Sequence, residues 1–152
     1  MTGPEHHHSA TVRADATLRA LSNAGLEPAA PVLFGEWSEA WGRTAAGMLL
    51  RRPAGQRVDG VFCGSDQVAR GLTDGLREAG VQVPDDVSVV GFDNWDVMAE
   101  AARPSLTPVA PRLVRLGQVS ASLLLAAIDE GDLGSGIVAQ PCELVLRDSS
   151  VP

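Results

Sequence analysis

The sequence predicts an α/β fold, an open parallel sheet flanked by helices. Three observations carry that expectation. Residues 58–63 (VDGVFC) form a short, partly alternating apolar run that reads as a strand. Residues 66–79 follow, with Val68, Leu72, Leu76 and Ala79 at helical spacing on one face. Residues 87–92 then place Val87, Val89, Val90 and Phe92 in an interior strand. Strand, helix and strand in this order make a crossover unit with parallel strands.

The remaining elements extend the same alternation. Ser9 is placed to cap a first helix that runs to about residue 24, and Gly25 stands just beyond its end. Residues 32–34 read as a short strand, and Ser38 caps a second helix that turns Trp41, Ala45, Met48 and Leu49 toward a core. Arg51 and Arg52 complement the dipole at its end, and Pro53 stops it. Ser65 caps the helix over 66–79, Gly80 supplies the left-handed residue that ends it, and residues 83–86 turn into the next strand. A less regular stretch to Pro104 leads to an extended segment at 106–109. Pro111 then suits the first turn of a long helix with Leu113, Leu116, Ser120, Leu123, Leu124, Ala127 and Ile128 as its apolar stripe. A glycine-bearing loop over 131–136 precedes a final strand at 143–147.

Composition bounds the function. The chain has 152 residues, 45% of them hydrophobic, enough for one compact domain whose core rests on Leu, Val and Ala, because there are three Phe, three Trp and no Tyr. A net charge of −7 argues against a basic nucleic-acid-binding face. Cys63 and Cys142 lie 79 positions apart without metal-ligand spacing, and Cys63 reads as a small core residue. No apolar run reaches transmembrane length, and no basic-then-apolar leader opens the chain, so a reducing, cytoplasmic setting and no membrane partner are expected.

The chemistry concentrates after residue 92, where Asp93, Asn94 and Asp96 emerge at the carboxyl end of a strand. Ligands of open α/β sheets bind there. A strand-terminating turn explains the same residues. His6, His7 and His8 cannot all face one ion in regular structure and have no Cys, Asp or Glu at ligand spacing, so no metal is expected. There is no nucleophile elbow, phosphate loop or dinucleotide fingerprint, and Asp93 with Asp96 lacks the geometry of an acid/base pair. No enzyme and no cofactor are expected.

Residues 60–94, GVFCGSDQVARGLTDGLREAGVQVPDDVSVVGFDN, resemble the effector-binding core of the lactose-repressor (LacI/GalR) family of bacterial transcriptional regulators. Its members carry a strand entering an N-D-Q-like turn, a helix, a V-P-x-D loop and V-V-G-F-D. The likeness continues through RPSLTPVAPRLVRLGQVSASLLLAAI and ELVLRDS and reaches back to GPEHHHSATVR. It implies the second lobe of a type I periplasmic-binding-protein-like fold over residues 1–108. A helix over 109–130 would normally pack on a first lobe, and a loop, closing strand and tail would occupy 131–152. Nothing matches the helix-turn-helix headpiece, hinge or most of the first lobe, so the chain is expected to be the C-terminal half of such a regulator.

The resemblance also assigns residues. Asp93 matches the aspartate that contacts effector after V-G-F, and Arg13 falls on the effector-binding arginine of GP-x4-S-x3-R. Trp37 takes an aromatic position suited to stacking on a sugar or purine face. Ser65 and Asp66 stand where relatives often have N-D; serine lacks the amide that both donates and accepts, and Asp66 favours the helix N-terminus. Ser9 offers either a hydroxyl to ligand or a helix cap. The implied effector is a sugar, sugar phosphate or nucleobase. The implied assembly is a homodimer through residues 67–78 and 97–103, with DNA bound only through a headpiece. A fragment of a sugar-binding protein of the related transport class is the alternative.

Overall fold

The computed structural model describes residues 1–131 and 136–150. In chain order its elements are α1 (His8–Asn23), α2 (Glu39–Leu50), a short 3-10 turn (Ala54–Gln56), β1 (Gly60–Phe62), α3 (Asp66–Glu78), β2 (Ser88–Phe92), α4 (Asp96–Ala99), β3 (Thr107–Ala110), α5 (Leu113–Glu130) and β4 (Glu143–Leu144). From α2 to β3 strands and helices alternate as expected from the sequence, whereas α1 and α2 follow each other without a strand between them.

Strand order is β1-β2-β3-β4. β1 and β2 are parallel with Val61 opposite Val89, and β2 and β3 are parallel with Gly91 opposite Pro108. β4 runs antiparallel, with Val109 opposite Leu144, so the open sheet is mixed rather than wholly parallel. On the free side of β1 the first residues add a further rung. The Met1 amino group donates to the Phe62 carbonyl at 2.8 Å, the Gly64 amide donates to the Met1 carbonyl at 2.9 Å, and Thr2 forms a parallel bridge with Phe34. The strand expected at 32–34 is thereby reduced to one bridge.

Local chemistry sets the helix ends. Ser38 and Ser65 cap α2 and α3, their hydroxyls accepting the amides of Trp41 and Val68. Gly25 and Gly80 take the left-handed conformation just past α1 and α3. Two ends differ from expectation. α1 starts at His8 with His7 in the cap position, two residues early, so Ser9 lies exposed inside the first turn and does not cap it. α5 starts at Leu113 after Arg112 in the left-handed region, which leaves Pro111 outside the helix. The expected loop over 131–136 lies mostly outside the described residues.

The core lies between α2, α3 and the sheet. Val68, Ala69, Leu72 and Leu76 of α3 bury against Cys63, Val89 and Leu106, with Ala46 of α2 in the same cluster. α2 and α3 approach closely because they meet on glycines. A β carbon at Gly42 would collide with the Val68 carbonyl, and one at Gly71 with the Glu39 carbonyl. The tail is pinned to the sheet through buried Ser149. Its hydroxyl donates to the Val89 carbonyl at 2.6 Å and accepts the Thr107 amide at 2.8 Å. α5 differs from the other long helices in leaving Leu113, Leu124 and Ile128 at 65%, 57% and 69% exposure.

Candidate functional site

The carboxyl ends of β1 and β2 and the first turns of α1 converge on one guanidinium. Ala10 and Ala14 are buried on α1, which carries Arg13 on the same flank over the sheet. Arg13 donates from Nη1 to the Gly64 carbonyl at 2.6 Å, just beyond β1. Its guanidinium carbon stands 3.8 Å from the centroid of the Phe92 ring and 5.7 Å from that of Trp37. The other side of the fork faces Asp93, with Nη2 3.9 Å from Oδ1. Cation–π contact and the carbonyl bond fix the plane of the fork, while the longer ion pair leaves both partners donor and acceptor capacity.

Asp93 owes its position to an unusual backbone. Asp93 and Asn94 have φ of 111° and 55°, both in the left-handed region. Few non-glycine residues adopt it, and Asn and Asp are enriched among those that do. The Asp93 amide still reaches the Val109 carbonyl at 3.1 Å, so the chain leaves the sheet at this residue and its side chain stays about half exposed beside Arg13. Partial burial raises the Asp93 carboxyl above its ordinary range, and Arg13 opposes that rise. Burial likewise lowers Arg13, against the pull of Asp93.

Trp37 closes one side. Its ring lies against Gly3, where a β carbon would overlap it, and its Nε1 donates to His7 Nδ1 at 3.0 Å. Arg13, Trp37 and Asp93 are thus brought together. Ser65 is not on this surface: it is buried, and its hydroxyl is engaged by the Val68 amide at 3.3 Å. Ser9 is exposed one turn before Arg13. Asn94 accepts from Arg147 Nη2 at 2.9 Å, and Asp96 opens the exposed side of α4. His6 and His7 meet edge to face, and among the described residues no group of three His, Cys, Asp or Glu is disposed to hold a metal.

The sequence reading gave Asp66 only a role at the helix N-terminus and did not single out Arg147. Asp66 is buried beneath the turn, its Oδ2 accepting the Trp95 amide at 2.8 Å. Its environment gave no sequence signal, since an acidic residue in the first turn of a helix is common. Arg147 links the tail to the turn through Asn94 and to the residue before β3 through the Leu106 carbonyl at 3.0 Å. It lies within the ELVLRDS segment, which marks its neighbourhood but not its partners. On the far side of the turn an open hollow of about 660 Å³ is lined by Asp93, Asn94, Arg112, Arg115, Gln118 and Glu143. An apolar ring, a fixed guanidinium and a half-exposed carboxylate suit a ligand with several hydroxyls, because the carboxylate accepts from two of them and the fork donates.

Comparison with known proteins bears on the family and the fold. The family model described as periplasmic binding protein-like domain matches residues 1–150. The HTH-type transcriptional repressor CytR of Escherichia coli (strain K12) is 32% identical over 152 residues, 99% of this chain and 43% of the repressor. The chain therefore spans less than half the length of that relative. A LacI family transcriptional regulator from Enterococcus faecium, with bound ribose, superposes with a TM-score of 0.79 at 31% identity, covering 99% of this chain and 55% of that one. A transcriptional regulator CelR–cellobiose complex gives 0.78 at 30% identity, over 98% and 45% of the two chains. Among the described residues no helix is long and apolar enough to cross a membrane. With its whole described length matched, the chain belongs to the periplasmic binding protein-like domain family, in the form carried by LacI-type transcriptional regulators.

Proposed function

We propose that this chain is the effector-sensing and dimerising portion of a LacI-type regulator, with a sugar-like molecule as effector and no catalytic activity of its own. The observation that carries this reading is Arg13 held over Phe92 beside Asp93, at the carboxyl end of β2. The bound ribose and cellobiose of the two structural relatives support a polyhydroxy ligand. Residues 1–108 act as one lobe, and the apolar face of α5 packs on a companion lobe in the whole regulator. Effector then closes two lobes and shifts the population between two arrangements that a DNA-binding headpiece reads. The dimer contact runs along the outer side of α3 and the segment 97–103, where Val97 is exposed. This lobe alone supplies half of a cleft, so its affinity for a free sugar is weak and it binds no operator specifically.

Ribose titrated into the 15N-labelled chain tests the reading. The amide and indole signals of Trp37, Phe92 and Asp93 should shift together with a dissociation constant of roughly 1 mM or weaker, about −4 kcal/mol. Arg13→Ala and Asp93→Asn should each abolish the shifts while leaving the core spectrum intact. Unchanged binding by both variants, or shifts confined to other surfaces, would overturn the assignment. Tight, sequence-specific DNA binding by this chain in a mobility-shift assay would contradict it as well.

A further inference from the structure

We infer that Asp66 is a positioning residue for the effector pocket, holding the Asp93–Trp95 turn in the conformation that sets Asp93 beside Arg13. The inference rests on the reading of Asp93 as an effector contact, but its structural part stands on Asp66 alone.

Asp66 is the first residue of α3 and only 1% exposed. Its Oδ2 accepts the Trp95 amide at 2.8 Å, and the Asn94 amide also favours its charged form. Trp95 is in turn the residue from which α4 starts, its carbonyl accepting the Met98 and Ala99 amides at 2.8 Å. One carboxylate therefore ties the two left-handed residues to the helix that follows them. Left-handed Asp and Asn are costly conformations that persist only when the surroundings over-determine them, and the Asp66 bonds do so from below.

The second oxygen makes the arrangement tense. Asp66 Oδ1 is buried with no hydrogen-bond partner, and it faces Gly91 on β2, where a β carbon would collide with it. A buried carboxylate oxygen without a partner favours the neutral acid. Of the other groups that bear on Asp66, the Asp93 carboxylate disfavours its charge and Arg147 favours it, while the neighbouring Cys63 thiol is itself pushed up to about 12, chiefly by burial. The net result is a carboxyl raised to about 6, first by desolvation and against the two backbone amides. Protonation there weakens the bonds to the turn, so the turn should loosen as pH falls.

The test follows backbone amides of the whole chain by 15N NMR from pH 8 to pH 4.5. In the wild type the Trp95 and Asn94 signals should move together with a midpoint near pH 6, and Asp66→Asn should flatten both curves while the Val89 and Leu72 signals stay in place. Flat wild-type curves, or the same midpoint in the variant, would overturn the role. The wild-type profile decides the matter by itself if the variant fails to fold. A parallel ribose titration at pH 7.5 separates this inference from the effector reading. Weakening by about tenfold in Asp66→Asn, the loss expected for one hydrogen-bonded contact, supports both. No ribose binding beside a titrating, Asp66-dependent turn counts against the effector reading and for the positioning role.

Discussion

Asp66 sets its two duties, order in the turn and stability of the fold, against each other. Its carboxyl rises from 3.8 to about 6 on folding, chiefly through desolvation. Between those values the folded chain binds the proton more tightly than the unfolded one. The contribution to stability is therefore full below about pH 4 and lost as pH rises through about 6. At 1.36 kcal/mol per unit it amounts to about 3 kcal/mol as an upper bound. Asp66→Asn, which stays neutral throughout, should gain on the wild type between pH 4.5 and pH 7 in urea unfolding and equal or exceed it at pH 7. A wild-type to variant difference that does not change with pH would show that Asp66 does not titrate in this range. The gain would come with the loss of the ordered turn, as expected where a functional site is held at a cost to the fold. Neither duty could be read from the sequence. S-D before an apolar run is the signature of a solvated helix start, and only the tertiary placement of β2 beneath it makes the acid a buried one.

At the scale of elements the apposition of α2 and α3 governs how the site is supported, since α3 carries Asp66 and α2 follows Trp37. Gly71 permits this approach because any side chain there would meet the Glu39 backbone carbonyl, which cannot swing aside as a side-chain tip can. Gly71→Ala should destabilise the fold by about 1–3 kcal/mol, the usual cost of overpacking a close contact. A urea midpoint unchanged within error would mean that the helices separate freely. The same elements show where local signals suffice. Ser38 and Ser65 could be read as caps because an N-cap depends on a hydroxyl and the three residues after it. The Val32–Phe34 strand and the Glu143–Arg147 strand shrank because pairing depends on a partner's register, which alternation within one segment does not contain. Pro111 has the rigid φ of a first helical residue, yet the left-handed Arg112 after it delays α5 by two positions, to Leu113. Arg13, Trp37 and Asp93 are 80 positions apart at the extremes and had no spacing signal at all. The family resemblance joined them, and the sheet explains why: its parallel strands bring successive carboxyl ends to one rim.

For the whole molecule the exposed face of α5 is the dominant uncompensated feature. Leu113, Leu124 and Ile128 sit in solvent together with Val114 and Leu125, a contiguous apolar surface of a kind that monomers seldom keep open. Sedimentation velocity should show the 15.8 kDa chain self-associating as its concentration rises, with Leu124→Glu plus Ile128→Glu restoring the monomer. A monomer at every concentration would mean that the face is tolerated in water. The net charge of −7 opposes such association and should make it stronger as salt is added.

The backbone of Met1 sits in the same sheet that shapes the site. Its carbonyl accepts the Gly64 amide at 2.9 Å, while the Gly64 carbonyl accepts Arg13 at 2.6 Å. One glycine therefore couples the outermost rung of the sheet to the guanidinium, and a shift of that rung is passed to the site through backbone alone.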